Sequence, residues 1–208
     1  MARLVQAGAA ILWLLSASAL AKPLKLVVLG DSLSAGYGLK AGDGFTDQLA
    51  AALKGEKFDV DVVNAGVSGD TVEDALARYD WSVPADADAI LVELGANDML
   101  RAMPIAPAKA ALAEIVQKAK AANAKVLIAG MRAPANLPQD YRGDFERMYR
   151  DVATSAEVPL YPFFLEGVAG DMALNQGDGM HPNPAGVAIV VKGILPSVED
   201  LLRSVVQK

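Results

Sequence analysis

The stretch LKLVVLGDSLS, residues 24–34, joins a short apolar run to a turn of small and polar residues. A run this short and this rich in Val and Leu, ended by Gly30, is typical of a buried strand in a parallel sheet. Ligands of such sheets bind beyond the carboxyl ends of the strands. The residues that follow each apolar run are therefore the first candidates for a functional site.

Four further apolar runs share this character, and longer segments of helical periodicity separate them. The predicted strands are 24–29, 58–63, 89–94, 125–129 and 158–161. The predicted helices are 45–53, 71–79, 107–122, 144–155 and a final segment 184–206, which we expect Gly193 and Pro196 to interrupt. This alternation predicts an α/β domain with one five-stranded parallel sheet. Segment 133–140 is expected to be a functional loop.

The first 21 residues have the composition of an export signal. Arg3 precedes an apolar run at 7–15, and a small-residue site, Ala19-Leu20-Ala21, follows it. The run is shorter than the roughly 20 residues that span a bilayer, which argues against a permanent anchor. We therefore expect a signal peptide at 1–21, a mature domain at 22–208 and a periplasmic or secreted protein without stable membrane insertion after cleavage.

The composition limits the chemistry that the chain can perform. It has no cysteine, one histidine and a formal net charge of −6. A nitrogen-rich or thiolate metal site is not expected from this inventory, and we predict neither a metal nor another cofactor. The absence of a basic cluster in the sequence argues against nucleic-acid binding. A chain of this length can bury a core as one domain, and we expect a monomer.

Short polar motifs follow the first three predicted strands: GDSLS at 30–34, NAG at 64–66 and GAND at 95–98. A fourth motif, DGMHPN at 178–183, holds the single histidine. Each motif alone is ordinary turn chemistry, because Gly, Asp, Asn and Ser favour turns and helix caps. Together they supply a nucleophile, a base and a group that orients the base, which are the parts needed for acyl transfer from a serine.

The catalytic roles follow from residue type. Ser32 is the candidate nucleophile, His181 the candidate base and Asp178 the carboxylate that would orient the imidazole. Pro182 biases His181 toward an extended conformation, which lets the ring project from a loop, and Pro184 is expected to start the last helix.

The tetrahedral intermediate of such a reaction needs hydrogen-bond donors for its oxyanion. The candidates are the backbone N–H groups of Ser32 and Gly66 and the side-chain amide of Asn97. Asp31 and Asp98 flank these positions, and we expect them to act in turns and caps, not in catalysis.

Acyl preference is expected to depend on apolar side chains near the nucleophile. Unbranched and Met-rich side chains could form an adaptable groove for an acyl chain. The candidate substrate-binding residues are Leu33, Met99, Leu100, Met103, Ile105, Pro134 and Leu137.

Six sequence stretches in order resemble the GDSL or SGNH hydrolase family: GDSLSAGYG, NAGVSGDT, LVELGANDMLR, KAANAKVL, PLYPFF and DGMHPN. The four blocks of that family centre on Ser, Gly, Asn and His, here Ser32, Gly66, Asn97 and His181. The resemblance is to its periplasmic thioesterases, arylesterases and lysophospholipases. It implies a flavodoxin-like three-layer α/β/α fold and a serine esterase that cleaves small acyl esters or thioesters through an acyl-enzyme. One block differs slightly, with Ala96 where relatives often have Gly.

Other functions remain as alternatives. A carbohydrate O-acetylesterase would use the same triad, although the aromatic content of 6% offers few rings for stacking on sugars. A non-catalytic lipid-binding protein could share the fold. The stretch 36–41 imitates a dinucleotide fingerprint, but it begins several residues past the first strand. Ser34 breaks the G-x-S-x-G pattern, which disfavours the α/β-hydrolase fold.

Overall fold

The structure is a computed structural model that describes residues 22–206. Five strands form one parallel sheet in the order β2-β1-β3-β4-β5. This is the strand order of flavodoxin-like, doubly wound sheets. The strands are β1 (Leu24–Gly30), β2 (Val60–Gly66), β3 (Ala89–Glu93), β4 (Lys125–Ala129) and β5 (Leu160–Tyr161). The prediction of an α/β domain with five parallel strands is confirmed, whereas the predicted signal peptide lies outside the described residues.

Eight helices occur among the described residues. They are α1 (Ser32–Ala35), α2 (Phe45–Gly55), α3 (Val72–Ala77), α4 (Tyr79–Ser82), α5 (Ala96–Leu100), α6 (Ile105–Ala121), α7 (Gln139–Ala156) and α8 (Pro184–Val206). Helix α2 packs against α8, and α6 packs against both α3 and α7, so that the sheet lies between two helical layers. No helix within residues 22–206 is both long enough and apolar enough to cross a membrane.

The core explains why the central strands are apolar on both faces. All of Leu26–Leu29 in β1 and Ala89–Val92 in β3 are buried, because helices cover the sheet on each side. Glu93, at the carboxyl end of β3, is an acid within this buried run and is also fully buried. Burying an ionisable group destabilises the fold unless the group is hydrogen-bonded, so we expect polar partners for Glu93 at this end of the sheet.

The helices differ from the sequence prediction in several places. The expected interruption of the last helix is wrong, because α8 runs without a break through Gly193 and Pro196. Its buried face, which includes Ile194 and Val198, packs on the core on either side of the proline and offsets the lost backbone hydrogen bond. Helix α7 begins five residues earlier than expected, directly after Pro138, which shortens the loop predicted at 133–140.

Among the short helices that the sequence did not predict, α1 and α5 matter for the site. Helix α1 has four residues and α5 has five, which is too few to show a helical period in the sequence. Each begins within three residues of the carboxyl end of a central strand, α1 after β1 and α5 after β3. The neighbouring ends of β1 and β3 therefore present the first turns of two helices side by side.

Candidate active site

Ser32 stands at the start of α1, on a tight turn at the end of β1. The Asp31 side chain caps this helix and accepts a hydrogen bond from the Leu33 N–H at 3.0 Å. Gly36 ends the helix in the left-handed conformation, with φ of 78°, and its N–H donates to the Ser32 carbonyl. The Ser32 hydroxyl therefore lies on a single, closely defined helical turn. Asp31 caps this turn, as the sequence predicts.

Two buried acids lie beneath this turn. The Ser34 hydroxyl donates to Glu93 Oε2 at 2.7 Å, and both residues are buried. Burial raises the pKa of Glu93 well above its ordinary value and raises the pKa of Asp31 to about 6. A side chain on Gly30 would collide with this pair, since its Cβ would lie 2.2 Å from Ser34 Oγ. Within residues 22–206, no group of three or more His, Cys, Asp or Glu side chains is placed to hold a metal ion.

The segment that carries His181 folds back over α1. The Gln176 N–H donates to the His181 carbonyl at 2.7 Å, and its side-chain amide donates to the Tyr37 carbonyl at 2.8 Å. The Tyr37 ring lies against the imidazole, with 4.7 Å between the ring centroids. Pro184 begins α8 as expected, and the Asn183 side chain accepts from the backbone at its first turn. Both ends of the histidine loop are thus anchored.

Ser32, His181 and Asp178 form one chain of hydrogen bonds. His181 Nε2 lies 2.9 Å from Ser32 Oγ, although 149 residues separate them. His181 Nδ1 lies 2.7 Å from Asp178 Oδ2. The other carboxylate oxygen, Oδ1, accepts from the N–H groups of Met180 and His181 at 2.9 and 3.0 Å. These backbone bonds, together with the imidazole, lower the pKa of Asp178 to about 2, so it is ionised at neutral pH.

Asn97 lies beside the nucleophile in the first turn of α5. Its amide nitrogen donates to the Asp70 carbonyl at 3.0 Å and, at a longer 3.3 Å, to Asp31 Oδ2. Asp98, the next residue, accepts from the Val72 N–H at the start of α3, which is the capping role that the sequence predicts. The Asn97 side chain is therefore held in a defined orientation and lines the same cavity as Ser32.

The structure favours a different glycine from the predicted one as a candidate oxyanion donor. The Gly66 N–H already donates to Asn64 Oδ1 at 2.9 Å, and a Cβ on Gly66 would lie 2.5 Å from the Ala35 nitrogen. Gly66 thus serves close packing of β2 against α1. Gly69, three residues later and with φ of 93°, lines the cavity together with Ser32 and Asn97. The Gly69 N–H is therefore the better candidate donor, whereas the sequence prediction named Gly66 and did not consider this second glycine of NAGVSGDT.

A cavity of about 520 Å³ opens in front of Ser32 and His181. Four of the candidate substrate-binding residues line it: Leu33, Met99, Leu100 and Pro134. Met103, Ile105 and Leu137 are not among its lining residues. The Met103 carbonyl instead accepts from the Tyr141 hydroxyl at 3.1 Å, and Ile105 and Leu137 pack against the core.

Much of the cavity wall comes from residues to which the sequence analysis assigned no part in substrate binding. They lie in the loop after β4, the segment after β5 and the turn before His181, which contribute Met131, Arg132, Phe163, Leu165, Ala169, Gly170, Gly179 and Met180. The carboxyl ends of β4 and β5 lie at the same edge of the sheet as that of β1. Applying the strand-end rule to β5 would have found Phe163 and Leu165 in PLYPFFL.

Comparison with known proteins agrees with this geometry. Residues 28–189 match the model of the GDSL-like Lipase/Acylhydrolase family. Esterase TesA of Pseudomonas aeruginosa is 40% identical over 203 residues, which cover 97% of this chain and 100% of that protein. Thioesterase 1/protease 1/lysophospholipase L1 of Escherichia coli is 40% identical over 161 residues, covering 76% of this chain and 75% of that protein.

A solved structure extends the similarity to three dimensions. The psychrotrophic esterase EstA from Pseudoalteromonas sp., inhibited by monoethylphosphonate, superposes with a TM-score of 0.81 at 31% identity, covering 86% of this chain and 98% of that one. Sequence and fold therefore agree. The chain belongs to the GDSL-like lipase/acylhydrolase family.

Proposed function

We propose that this chain is a serine esterase and thioesterase that acts through an acyl-enzyme formed on Ser32. In this proposal His181 is the base and Asp178 is the carboxylate that orients it. The observation that carries the proposal is the continuous line of hydrogen bonds from Asp178 through His181 to Ser32. Geometry of this kind identifies a triad independently of the order of its residues along the chain.

Acylation starts when Ser32 Oγ attacks the carbonyl carbon of an ester or thioester. As the new C–O bond forms, the hydroxyl proton moves to His181 Nε2, and the Asp178 carboxylate stabilises the resulting imidazolium. The tetrahedral intermediate then breaks its bond to the leaving alcohol or thiol, which takes the proton from Nε2. A water molecule repeats the sequence on the acyl-enzyme and releases the acid, so that the enzyme returns to its starting state.

The oxyanion is held by three donors on neighbouring strand ends: the backbone N–H groups of Ser32 and Gly69 and the Asn97 amide. The amide has two N–H hydrogens: the one bonded to the Asp70 carbonyl orients the group before substrate arrives, and the other gives up its longer contact with Asp31 Oδ2 to donate to the oxyanion. The acyl chain occupies the apolar part of the cavity, where Leu33, Met99, Leu100 and Pro134 face Phe163 and Leu165. The substrates are small acyl esters and thioesters, among them aryl esters and lysophospholipids.

The structure supports no alternative to the same degree. A carbohydrate O-acetylesterase would need rings on which a sugar can stack, and the described lining residues offer the Tyr37 ring, which already packs on His181, and the Phe163 ring. A non-catalytic lipid-binding protein would not need His181 Nε2 within hydrogen-bonding distance of a serine hydroxyl. Export through the signal peptide at 1–21, with a periplasmic or secreted and monomeric mature enzyme, completes the proposal.

A fluorophosphonate probe tests the nucleophile directly. The full-length enzyme should gain one covalent adduct in intact-mass measurement, and peptide mapping should find it on Ser32 and not on Ser68, which lines the same cavity. Ser32→Ala should abolish labelling and lower kcat on p-nitrophenyl esters and acyl thioesters by about 10⁴- to 10⁶-fold. Ser155→Ala, on an exposed position of α7, is the matched control. Labelling that persists in Ser32→Ala would contradict the proposal.

A further inference from the structure

Arg132 is the one permanently charged residue among the described residues that line the cavity. It lies three residues after the end of β4, between the buried Met131 and Ala133, which fix the backbone at this point. The neighbouring Gly130 adds to this, since its N–H donates to the Tyr161 carbonyl and its own carbonyl accepts from the Phe164 N–H, both at 2.8 Å. Arg132 is therefore a charged side chain on a firmly held strand end, in a protein whose net charge is −6.

The guanidinium group has two partners. Its carbon lies 4.9 Å from the centroid of the Phe163 ring, which also lines the cavity. Its Nη1 lies 3.1 Å from Glu166 Oε2, an ion pair in which the Arg132 side chain keeps 49% of its exposure and Glu166 keeps 60%. An ion pair this exposed contributes little to stability. The stability contributed by the Arg132–Glu166 ion pair therefore does not explain why a charged side chain lines the cavity.

A guanidinium has five N–H donors in a planar fork, so the pair with Glu166 does not exhaust its capacity. Carboxylate and phosphate groups match this fork and bind it through two parallel hydrogen bonds. Because Arg132, Ser32 and His181 line one cavity of about 520 Å³, one substrate molecule in this cavity can place its carbonyl at Ser32 and an anionic group at Arg132.

We infer that Arg132 is a specificity-determining residue that favours esters carrying a phosphate or carboxylate group a few bonds from the scissile carbonyl. This inference rests on the proposed function, because it assigns a substrate class to the same site. Glu166 competes with the substrate anion for the guanidinium, so the two side chains should have opposite effects on the preference. The anion can belong to the acyl part or to the leaving group, and the experiment separates these two sources.

Two matched substrate pairs measure the preference. Monohexanoylglycerol and hexanoylglycerol phosphate differ by a phosphate on the leaving group, whereas p-nitrophenyl hexanoate and mono-p-nitrophenyl adipate differ by a carboxylate on the acyl part. For each pair, the ratio of kcat/KM for the anionic ester to that for the neutral ester is determined. We expect Arg132→Gln to lower this ratio about tenfold in at least one pair, and Arg132→Lys to restore part of it because the charge remains without the fork.

Glu166→Gln should raise the same ratio, since it removes the competing carboxylate while leaving Arg132 in place. Arg147→Gln is the matched control, because Arg147 is an exposed arginine paired with Asp144 on the surface of α7. It should leave both ratios as they are in the wild-type enzyme. If Arg132→Gln does not fold, as judged by circular dichroism, the change in Glu166→Gln decides the question.

The outcomes keep the two proposals apart. Equal ratios in wild type, Arg132→Gln and Glu166→Gln, with neutral esters still hydrolysed through Ser32, would overturn the role of Arg132 and leave the proposed function intact. Failure of the wild-type enzyme to hydrolyse any of the four esters faster than Ser32→Ala would instead contradict the proposed function, and the role of Arg132 with it.

Discussion

Two aspartates, Asp31 and Asp178, lie next to the proposed catalytic residues, and their surroundings differ sharply. Asp31 precedes Ser32 in the sequence, has no exposed surface, and burial raises its pKa to about 6. Asp178 lies far along the chain on an exposed loop, where hydrogen bonds from the backbone lower its pKa to about 2. The carboxylate nearest the nucleophile in sequence is thus the one less suited to carrying a charge.

The comparison shows that position along the chain does not assign the roles, whereas hydrogen bonding does. An orienting carboxylate must stay ionised to stabilise the imidazolium, and Asp178 meets this requirement. Asp31 receives the Leu33 N–H and the Asn97 amide, and it therefore ties the nucleophile turn to the neighbouring oxyanion donor. It is a positioning residue, which agrees with the cap role predicted from the sequence.

The largest effect is expected from Asp178→Asn. The amide would favour the wrong tautomer of His181 and would not stabilise the imidazolium, so kcat should fall about ten-thousandfold. Steady-state kinetics on a p-nitrophenyl ester measures this loss. Asp171→Asn is the control, because Asp171 is also an exposed acid of this region whose carboxylate accepts from a backbone N–H two residues on, that of Ala173. A loss of less than about tenfold in Asp178→Asn would mean that another group orients the imidazole.

A smaller effect is expected at the donor that Asp31 positions. Asn97→Ala removes the amide and should lower kcat by about 10²- to 10³-fold, with little change in KM, since the oxyanion exists only in the transition state and the intermediate. Stopped-flow acylation by p-nitrophenyl acetate, together with an unfolding curve to confirm stability, tests this. Equal acylation rates in variant and wild type would mean that the Asn97 amide does not stabilise the oxyanion and that only the backbone N–H groups do.

The sequence was sufficient for the sheet because its central strands are continuous apolar runs, which burial on both faces requires. It also pointed to Ser32 and Asn97, since polar residues that follow buried strands stand out against the apolar background. It pointed to His181 and Asp178 because His181 is the single histidine of the chain and Asp178 lies three residues before it. It did not reveal α1, which the Asp31 side chain caps, or α5, which has no side-chain cap, because four and five residues are too few to show an amphipathic period.

The wrongly predicted cavity residues have a common physical explanation. Met103, Ile105 and Leu137 follow strand ends in the sequence, but nearness along the chain does not determine which way a loop turns. Phe163 and Leu165 reach the cavity because β5 pairs with β4, a contact between distant segments. Likewise, only coordinates show that the Gly66 N–H is already bonded while Gly69 lines the cavity.

The smallest effect concerns stability, and it tests the two aspartates against each other. Folding raises the pKa of Asp31 from 3.8 to about 6, so the folded protein keeps a proton that the unfolded chain releases between these values. The free energy of unfolding should therefore fall as pH rises through this window and level off above it, by about 1 to 3 kcal/mol. Asp31→Asn removes this titration, so its urea-unfolding free energy should decline less than that of the wild type between about pH 4 and about pH 7. Burial also raises the pKa of Glu93, which contributes to the decline in both proteins.

Asp178→Asn provides the contrast in the same measurement. The pKa of Asp178 is depressed from 3.8 to about 2, so the stability that it contributes is present above 3.8 and is lost as pH falls through about 2. That window lies below the one in which Asp31 titrates, and Asp178→Asn should therefore retain the wild-type decline between about pH 4 and about pH 7. If Asp31→Asn and wild type declined equally, Asp31 would be ionised throughout this range, and its burial would not control its charge.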